Sequence, residues 1–222
     1  MRIGILGSGR MAAALAPHWV HAGHEVLIGG RSADRAAALA SKIGSRAGTL
    51  REAAEFGAAC LLAVRSEGLV PTLEAAGGPD GTLAGKAVVD CGNAVHLADF
   101  SQIRWDGRSL AEHAEFLAVG ARVVKAFNLC HADVWRLDPP QFDGRRLAVP
   151  YCGADAAKAV ARTLIEDVGG RPVDVGDLSQ ARHLEAMAIP VIRLLFGGAG
   201  PHTVFNLITD ERAAGFAGTP AP

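Results

Sequence analysis

Arg2-Ile3-Gly4-Ile5-Leu6-Gly7-Ser8-Gly9-Arg10-Met11-Ala12 opens the chain, and Glu25-Val26-Leu27-Ile28-Gly29-Gly30-Arg31 follows a short Ala/Leu-rich stretch. The order is apolar strand, glycine turn, helix, second strand, cation. That order is the signature of a βαβ unit that binds a dinucleotide. Gly7 lets the chain turn sharply out of the first strand. At Gly9 a Cβ would obstruct a pyrophosphate, and Ala12 takes the third, helix-packing position of the G-x-G-x-x-G/A pattern. Free N–H groups at the helix start, with the helix dipole, then face the phosphates. This assigns Gly7, Ser8, Gly9, Arg10 and Met11 to the phosphate turn.

The end of the second strand selects the dinucleotide. NAD sites carry Asp or Glu there for the ribose 2′-hydroxyl, whereas NADP sites carry a cation for the 2′-phosphate. Here the strand ends Gly29-Gly30-Arg31-Ser32, with no acid before Asp34. Arg35 lies four residues beyond Arg31, so one helical turn brings both cations to one place. The planar guanidinium suits a phosphate. The reading is NADP(H), held at Gly30, Arg31, Ser32 and Arg35.

Outward from this unit, short Val/Ile/Leu runs alternate with Ala-rich helical stretches. The alternation predicts a Rossmann-type, doubly wound α/β fold with a mostly parallel sheet. Strands are expected near 2–6, 25–29, 59–64, 86–90 and 122–126, with a weaker one near 46–49. Helices are expected near 10–22, 32–43, 50–56, 67–76 and 109–118. The segment between Pro139-Pro140 and Asp143-Gly144 reads as a loop. After it come a strand over 147–152, a helix over 155–168, a strand over 171–175 and a helix over 178–197 interrupted by Pro190. A second short helix is expected over 203–213. The domain reading is a Rossmann domain over 1–144, a small extension over 145–214 that ends in apolar helices, and a flexible tail over 215–222.

The 222 residues are half hydrophobic with a net charge of −1, enough for a packed core and without a basic face for nucleic acid. No polybasic segment or apolar run suggests a membrane. The four cysteines have no metal-ligand or disulfide spacing, so no metal is expected and a reducing cytoplasm is the expected setting.

The chain resembles the NADPH-dependent coenzyme F-420 (F420) reductases, also called F420-dependent NADP oxidoreductases, over almost its full length. The carriers are the Gly7–Ala12 turn, Ala22-Gly23-His24-Glu25-Val26, Gly30-Arg31, Leu61–Val64, Gly85–Asp90, Asn93 and Val124-Lys125-Ala126-Phe127-Asn128. The second half adds Val149–Gly153, Asp155, Asp174–Leu178 and Ala181-Arg182-His183-Leu184-Glu185. The resemblance implies that Gly30, Arg31 and Arg35 clasp the 2′-phosphate. The family commonly has Ser where this chain has Gly30, and Ser32 is placed to supply the lost hydroxyl. That family also resembles the cytosolic domain of membrane ferric reductases, which passes hydride from NADPH to a flavin. Three departures stand at strand ends: Val64-Arg65-Ser66 replaces a Val/Ile-Pro-Trp run, Asn93-Ala94 replaces Asn-Pro, and Leu129-Cys130-His131 follows Asn128.

The resemblance implies hydride transfer between NADP(H) and a deazaflavin (coenzyme F420) or flavin as co-substrate. Such a transfer needs two aligned rings and no protein nucleophile. Strand C-terminal ends should wall the site: Ala63, Val64 and Arg65, then Asn93, then Asn128 through His131. An imine or carbonyl acceptor would need a proton donor, and His131 is the first candidate, with Asp133, Glu185 and His202 behind it. The other readings are an NADPH-dependent reductase of a small biosynthetic metabolite and a non-catalytic NADP sensor. The partner is a small-molecule hydride acceptor or donor, and the apolar last helix, with the resemblance, implies a homodimer.

Overall fold

In the computed structural model, residues 1–207 are described. The parallel half runs β1 (Arg2–Leu6), α1 (Arg10–His21), β2 (Glu25–Gly29), α2 (Ala33–Ile43), β3 (Arg46–Gly48), α3 (Leu50–Phe56), β4 (Ala59–Leu62), α4 (Leu69–Ala75), β5 (Ala87–Asp90), α5 (Leu110–Leu117) and β6 (Arg122–Lys125). It is followed by β7 (Gln141–Phe142), β8 (Arg145–Arg146), β9 (Ala148–Gly153), α6 (Asp155–Asp167), β10 (Arg171–Asp174) and α7 (Ala181–Phe196). Eight strands form one sheet in the order β10-β9-β6-β5-β4-β1-β2-β3. The expected Rossmann-type sheet is present.

The central strands β1, β4, β5 and β6 are apolar on both faces because helices cover both. Ile3, Ile5, Leu61, Val89 and Val124 face α1, α2 and α6. Their neighbours Leu6, Cys60, Leu62, Val88 and Val123 face α3, α4 and α5. Two glycines set the spacing on the second face. A Cβ at Gly4 would lie 2.0 Å from Ala53 O, and one at Gly29 would lie 2.7 Å from Ala53 Cβ. Helix α3 therefore rests directly on the backbone of β1 and β2. Its start is fixed by a capping box between Thr49 and Glu52, and α5 has the same device in Ser109 and Glu112.

The extension joins the sheet with reversed direction. β9 pairs antiparallel with β6 only through Val124–Gly153 and Lys125–Cys152. Residues Ala148–Tyr151 pair with β10 and so project past the C-terminal end of β6. They raise a wall beside that edge of the sheet.

Three expectations need correction. The stretch between Pro140 and Leu147 is a hairpin rather than a plain loop: Gln141 pairs with Arg146 and Phe142 with Arg145. Asp143 and Gly144 both have positive φ (51° and 72°), as a two-residue type I′ turn requires. Helix α7 runs through Pro190 without a break. Pro190 and Ala186 are both exposed, so water can serve the carbonyl that loses its N–H. Thr203–Leu207 are not helical, and the rest of the helix expected over 203–213, like the tail over 215–222, lies outside the described residues. Pro17 also sits inside α1, and nothing in the structure explains it. Among the described residues, no helix is long and apolar enough to cross a membrane.

Candidate functional site

The two turn glycines have different reasons for being glycine. Gly7 has φ +127°, and a Cβ there would lie 2.5 Å from Ala63 O. Its N–H donates to Gly29 O at 2.8 Å, tying the ends of β1 and β2. The fold itself forbids a side chain. At Gly9 a Cβ would meet only Ala63 O, at an ordinary 3.8 Å. The chain has room for a side chain at Gly9, so the demand for glycine comes from outside the chain.

Gly9 is the N-cap of α1, and no side chain caps that helix. The first-turn N–H groups, those of Arg10, Met11 and Ala12, have no partner within the helix. With the helix dipole they form a site for an anion. Ser8 stands opposite Gly30, where an added Cβ would approach Ser8 Oγ to 3.0 Å. Ser32 caps α2 by accepting the Arg35 N–H at 3.3 Å, which leaves its hydroxyl proton free to donate. Arg31 and Arg35 are exposed, and among the described residues no carboxylate pairs with either. Two free guanidiniums thus flank the end of β2, one turn apart.

The remaining wall residues stand along the same edge. Ala63 donates to Leu6 O at 3.0 Å, which sets the turn after β4 against β1. Val64 is half-buried and Arg65 exposed. Asn93 and Asn128, after β5 and β6, bind each other: Asn93 Nδ2 donates to Asn128 O at 2.7 Å, and Asn128 Nδ2 to Asn93 Oδ1 at 3.0 Å. Asn128 Nδ2 also donates to Leu184 O of α7 at 3.0 Å. Asn128 Oδ1 is buried and has no partner among the described residues. Phe127, one residue earlier, holds a left-handed φ of 63°, a strained state for a bulky residue. It is paid for by burial, with Trp19 and Trp135 packed edge-on against its ring.

His131 faces the phosphate turn. Its Nε2 lies 3.4 Å from Arg10 Nη1, and its Nδ1 lies 3.4 Å from Asp133 Oδ2. The Asp133 backbone N–H also donates to Nδ1 at 3.3 Å, which makes Nδ1 an acceptor and ties the ring to its own loop. The adjacent Cys130 is no nucleophile, since burial pushes its thiol up to about 12. Glu185 has both oxygens engaged, with Lys125 and with the N–H groups of Leu110 and Ala111, and is 1% exposed. His202 is exposed in the turn after α7.

Sequence reasoning missed the most buried charges of this edge, Asp90 and Lys125. A signal was available. Each closes an apolar strand, Val88-Val89-Asp90 and Val123-Val124-Lys125, where an unpaired charge would be prohibitive. A small cavity of about 10 Å³ lies beside Asn128, between Trp135, Pro150 and Phe205. A larger open groove of about 360 Å³, lined by Leu27, Arg46, Ala47, Glu52, Glu55 and Phe56, includes none of the predicted site residues.

Several known proteins are similar to this chain. The family described as NADP oxidoreductase, coenzyme F420-dependent, matches residues 2–94. The F420-dependent NADP reductase of Methanothermobacter marburgensis is 30% identical over 217 residues, covering 87% of this chain and 92% of that protein. The metalloreductase STEAP3 of Rattus norvegicus is 31% identical over 192 residues, which are 86% of this chain but only 37% of STEAP3. A crystal structure from Arthrobacter sp. FB24, described as an F420-dependent NADP reductase, superposes with a TM-score of 0.83 at 26% identity, covering 93% of this chain and 99% of that one. By fold, by the glycine turn and by a relative matched over nearly its whole length, this chain belongs to the coenzyme F420-dependent NADP oxidoreductases.

Proposed function

We propose that this NADP-dependent oxidoreductase transfers hydride between NADP(H) and a deazaflavin, coenzyme F420, or a flavin, and that it works as a homodimer. The observation that carries the nicotinamide half is the anion site at α1 together with two arginines one turn apart that pair with no carboxylate among the described residues. The residues present fit NADP: Gly9 leaves space the fold does not need, and among the described residues Arg31 and Arg35 have no carboxylate to satisfy them. The acceptor is supported by the relative from Methanothermobacter and by the similarity to STEAP3.

Bound NADPH would supply the hydride, and the protein supplies alignment. In this reading Gly7, Ser8, Gly9, Arg10 and Met11 seat the pyrophosphate. Gly30, Arg31, Ser32 and Arg35 hold the 2′-phosphate. Ala63, Val64, Arg65, Asn93 and Asn128 wall the nicotinamide, with Asn128 Oδ1 as an acceptor for a ligand N–H. Ring-to-ring hydride transfer needs no proton donor, and His131 stands beside Arg10 at the phosphate turn. Residues 1–144 bind NADP, and 145–214 complete the pocket for the second ring. Four free cysteines fit a reducing cytoplasm.

The test is direct. The protein is mixed with NADPH and with oxidised F420, FMN or FAD, and loss of nicotinamide absorbance is followed. Turnover with at least one acceptor is expected. Binding of NADPH without turnover on any of them would sink the reading.

The dimer rests on the outer face of α7. Met187 and Leu194, seven residues apart and so on one face of α7, are 43% and 45% exposed. Apolar side chains gathered on one face mark an interaction surface. Sedimentation should give a dimer for the parent chain and a monomer for Met187→Glu combined with Leu194→Glu. A monomeric parent would refute this part.

A further inference from the structure

Directly behind the two asparagines lies a charge cluster that hydride transfer does not use. Lys125 Nζ donates to Asp90 Oδ2 at 2.7 Å, to Glu185 Oε1 at 2.9 Å and to Gly92 O at 2.6 Å. All three ammonium protons are thereby committed. Asp90 Oδ1 accepts the Gly92 N–H at 2.9 Å. Glu185 accepts the N–H groups of Leu110 (2.9 Å) and Ala111 (3.2 Å), the first two residues of α5. The three charged residues are at most 1% exposed.

The cluster holds two carboxylates and one ammonium. The N-terminus of α5, with its two N–H donors and its dipole, compensates the second carboxylate. Burial pushes the Asp90 carboxyl up, against the pull of Lys125. Burial works against the Lys125 ammonium too, yet Asp90 and Glu185 together hold it above the ordinary lysine value. Well-packed apolar side chains would stabilise the fold as well as such a cluster does. What a fully satisfied buried network adds is a single fixed geometry.

Besides the start of α5, the cluster touches residues that adjoin the site. Gly92 precedes Asn93. Leu184, whose carbonyl holds Asn128, precedes Glu185. Lys125 itself is three residues before Asn128.

We propose that Lys125 is a positioning residue: through Asp90, Gly92 and Glu185 it fixes the Asn93–Asn128 pair and the start of α7 against the nicotinamide end of the sheet. The inference rests on the hydride-transfer reading above. The phosphate turn and Arg31 lie on other strands and do not depend on it.

The test is Lys125→Met, which leaves Asp90 and Glu185 facing each other without a cation. The pair then holds a proton more tightly folded than unfolded, so correct geometry is present at low pH and lost as pH rises. At about pH 8 the single-turnover rate should fall by about 100-fold or more, the usual effect of a misplacement near 1 Å. NADPH affinity should change by less than about threefold, as expected for a distant site. The rate should recover as pH is lowered towards about 5, and adding Asp90→Asn should abolish that pH dependence. A parental rate for K125M at high pH, or a loss that pH does not alter, overturns the proposal. Should K125M fail to fold, Glu185→Gln tests the same positioning: a lowered rate with unchanged NADPH affinity supports it, and a parental rate overturns it. A parent protein without turnover on any acceptor counts against the reaction alone. The lifetime of bound NADPH fluorescence then decides: a pH-dependent change in K125M supports positioning, and no change overturns it.

Discussion

Gly9→Ala is expected to leave the fold intact and to weaken NADPH binding by about 100-fold or more. The added Cβ meets only Ala63 O at 3.8 Å, so the fold has room for it. Losing some N-cap preference is offset by a less flexible unfolded chain, and the melting temperature should stay within about 4 °C. Binding suffers because the methyl group stands where a pyrophosphate must approach the N–H groups of α1. Hydrogen bonds to a charged group are worth about 1.5–3 kcal/mol each, so losing two removes about 3–6 kcal/mol. Gly7→Ala should behave in the opposite order. Its Cβ would lie 2.5 Å from a backbone oxygen at φ +127°, and the fold should lose about 2–4 kcal/mol. Thermal melting and NADPH fluorescence titration of both variants check the contrast. Tight NADPH binding by the Gly9 variant would remove the pyrophosphate from α1.

Arg31→Ala with Arg35→Ala is expected to erase the preference for NADPH over NADH. Both guanidiniums are exposed and without a carboxylate among the described residues, so nothing in the fold depends on their charge. Each charge-assisted bond to the 2′-phosphate contributes about 1.5–3 kcal/mol, and losing both should weaken NADPH by about 100-fold to several thousand-fold. NADH lacks that phosphate, and its affinity should not move. Because the arginines face solvent, the parental preference should also shrink as salt is raised. Parallel titrations with the two cofactors decide it. An unchanged ratio would mean that the 2′-phosphate is held elsewhere.

The parallel half of the fold was legible because its signals are local. Alternating apolar strands and the Gly7–Gly9 turn each act within a few residues, and both lie where the sequence places them. The direction of β9 was not legible. A strand–helix–strand pattern reads the same whichever way it is laid against β6, and direction is set by the Asp143-Gly144 hairpin and the two pairs at Lys125. The site was legible in its parts but not in its contacts. Asn93 and Asn128 could be placed at strand ends, but their mutual bonds depend on the left-handed turn at Phe127. His131 could be noticed as a histidine near a strand end, but its approach to Arg10 joins residues 121 positions apart. Lys125 and Glu185 stood in quoted motifs, and their pairing required the packing of α7 on α5.

The two-pair join between β6 and β9 also sets an order of assembly. Domains gather during synthesis from the N-terminus onward. Strands β1 to β6, with their crossover helices, can close into a sheet while β9, α6 and β10 are still leaving the ribosome. The wall beside the site, and α7 after it, are laid down later. A nascent chain therefore has its phosphate turn and its two arginines before it has any enclosure for a second ring.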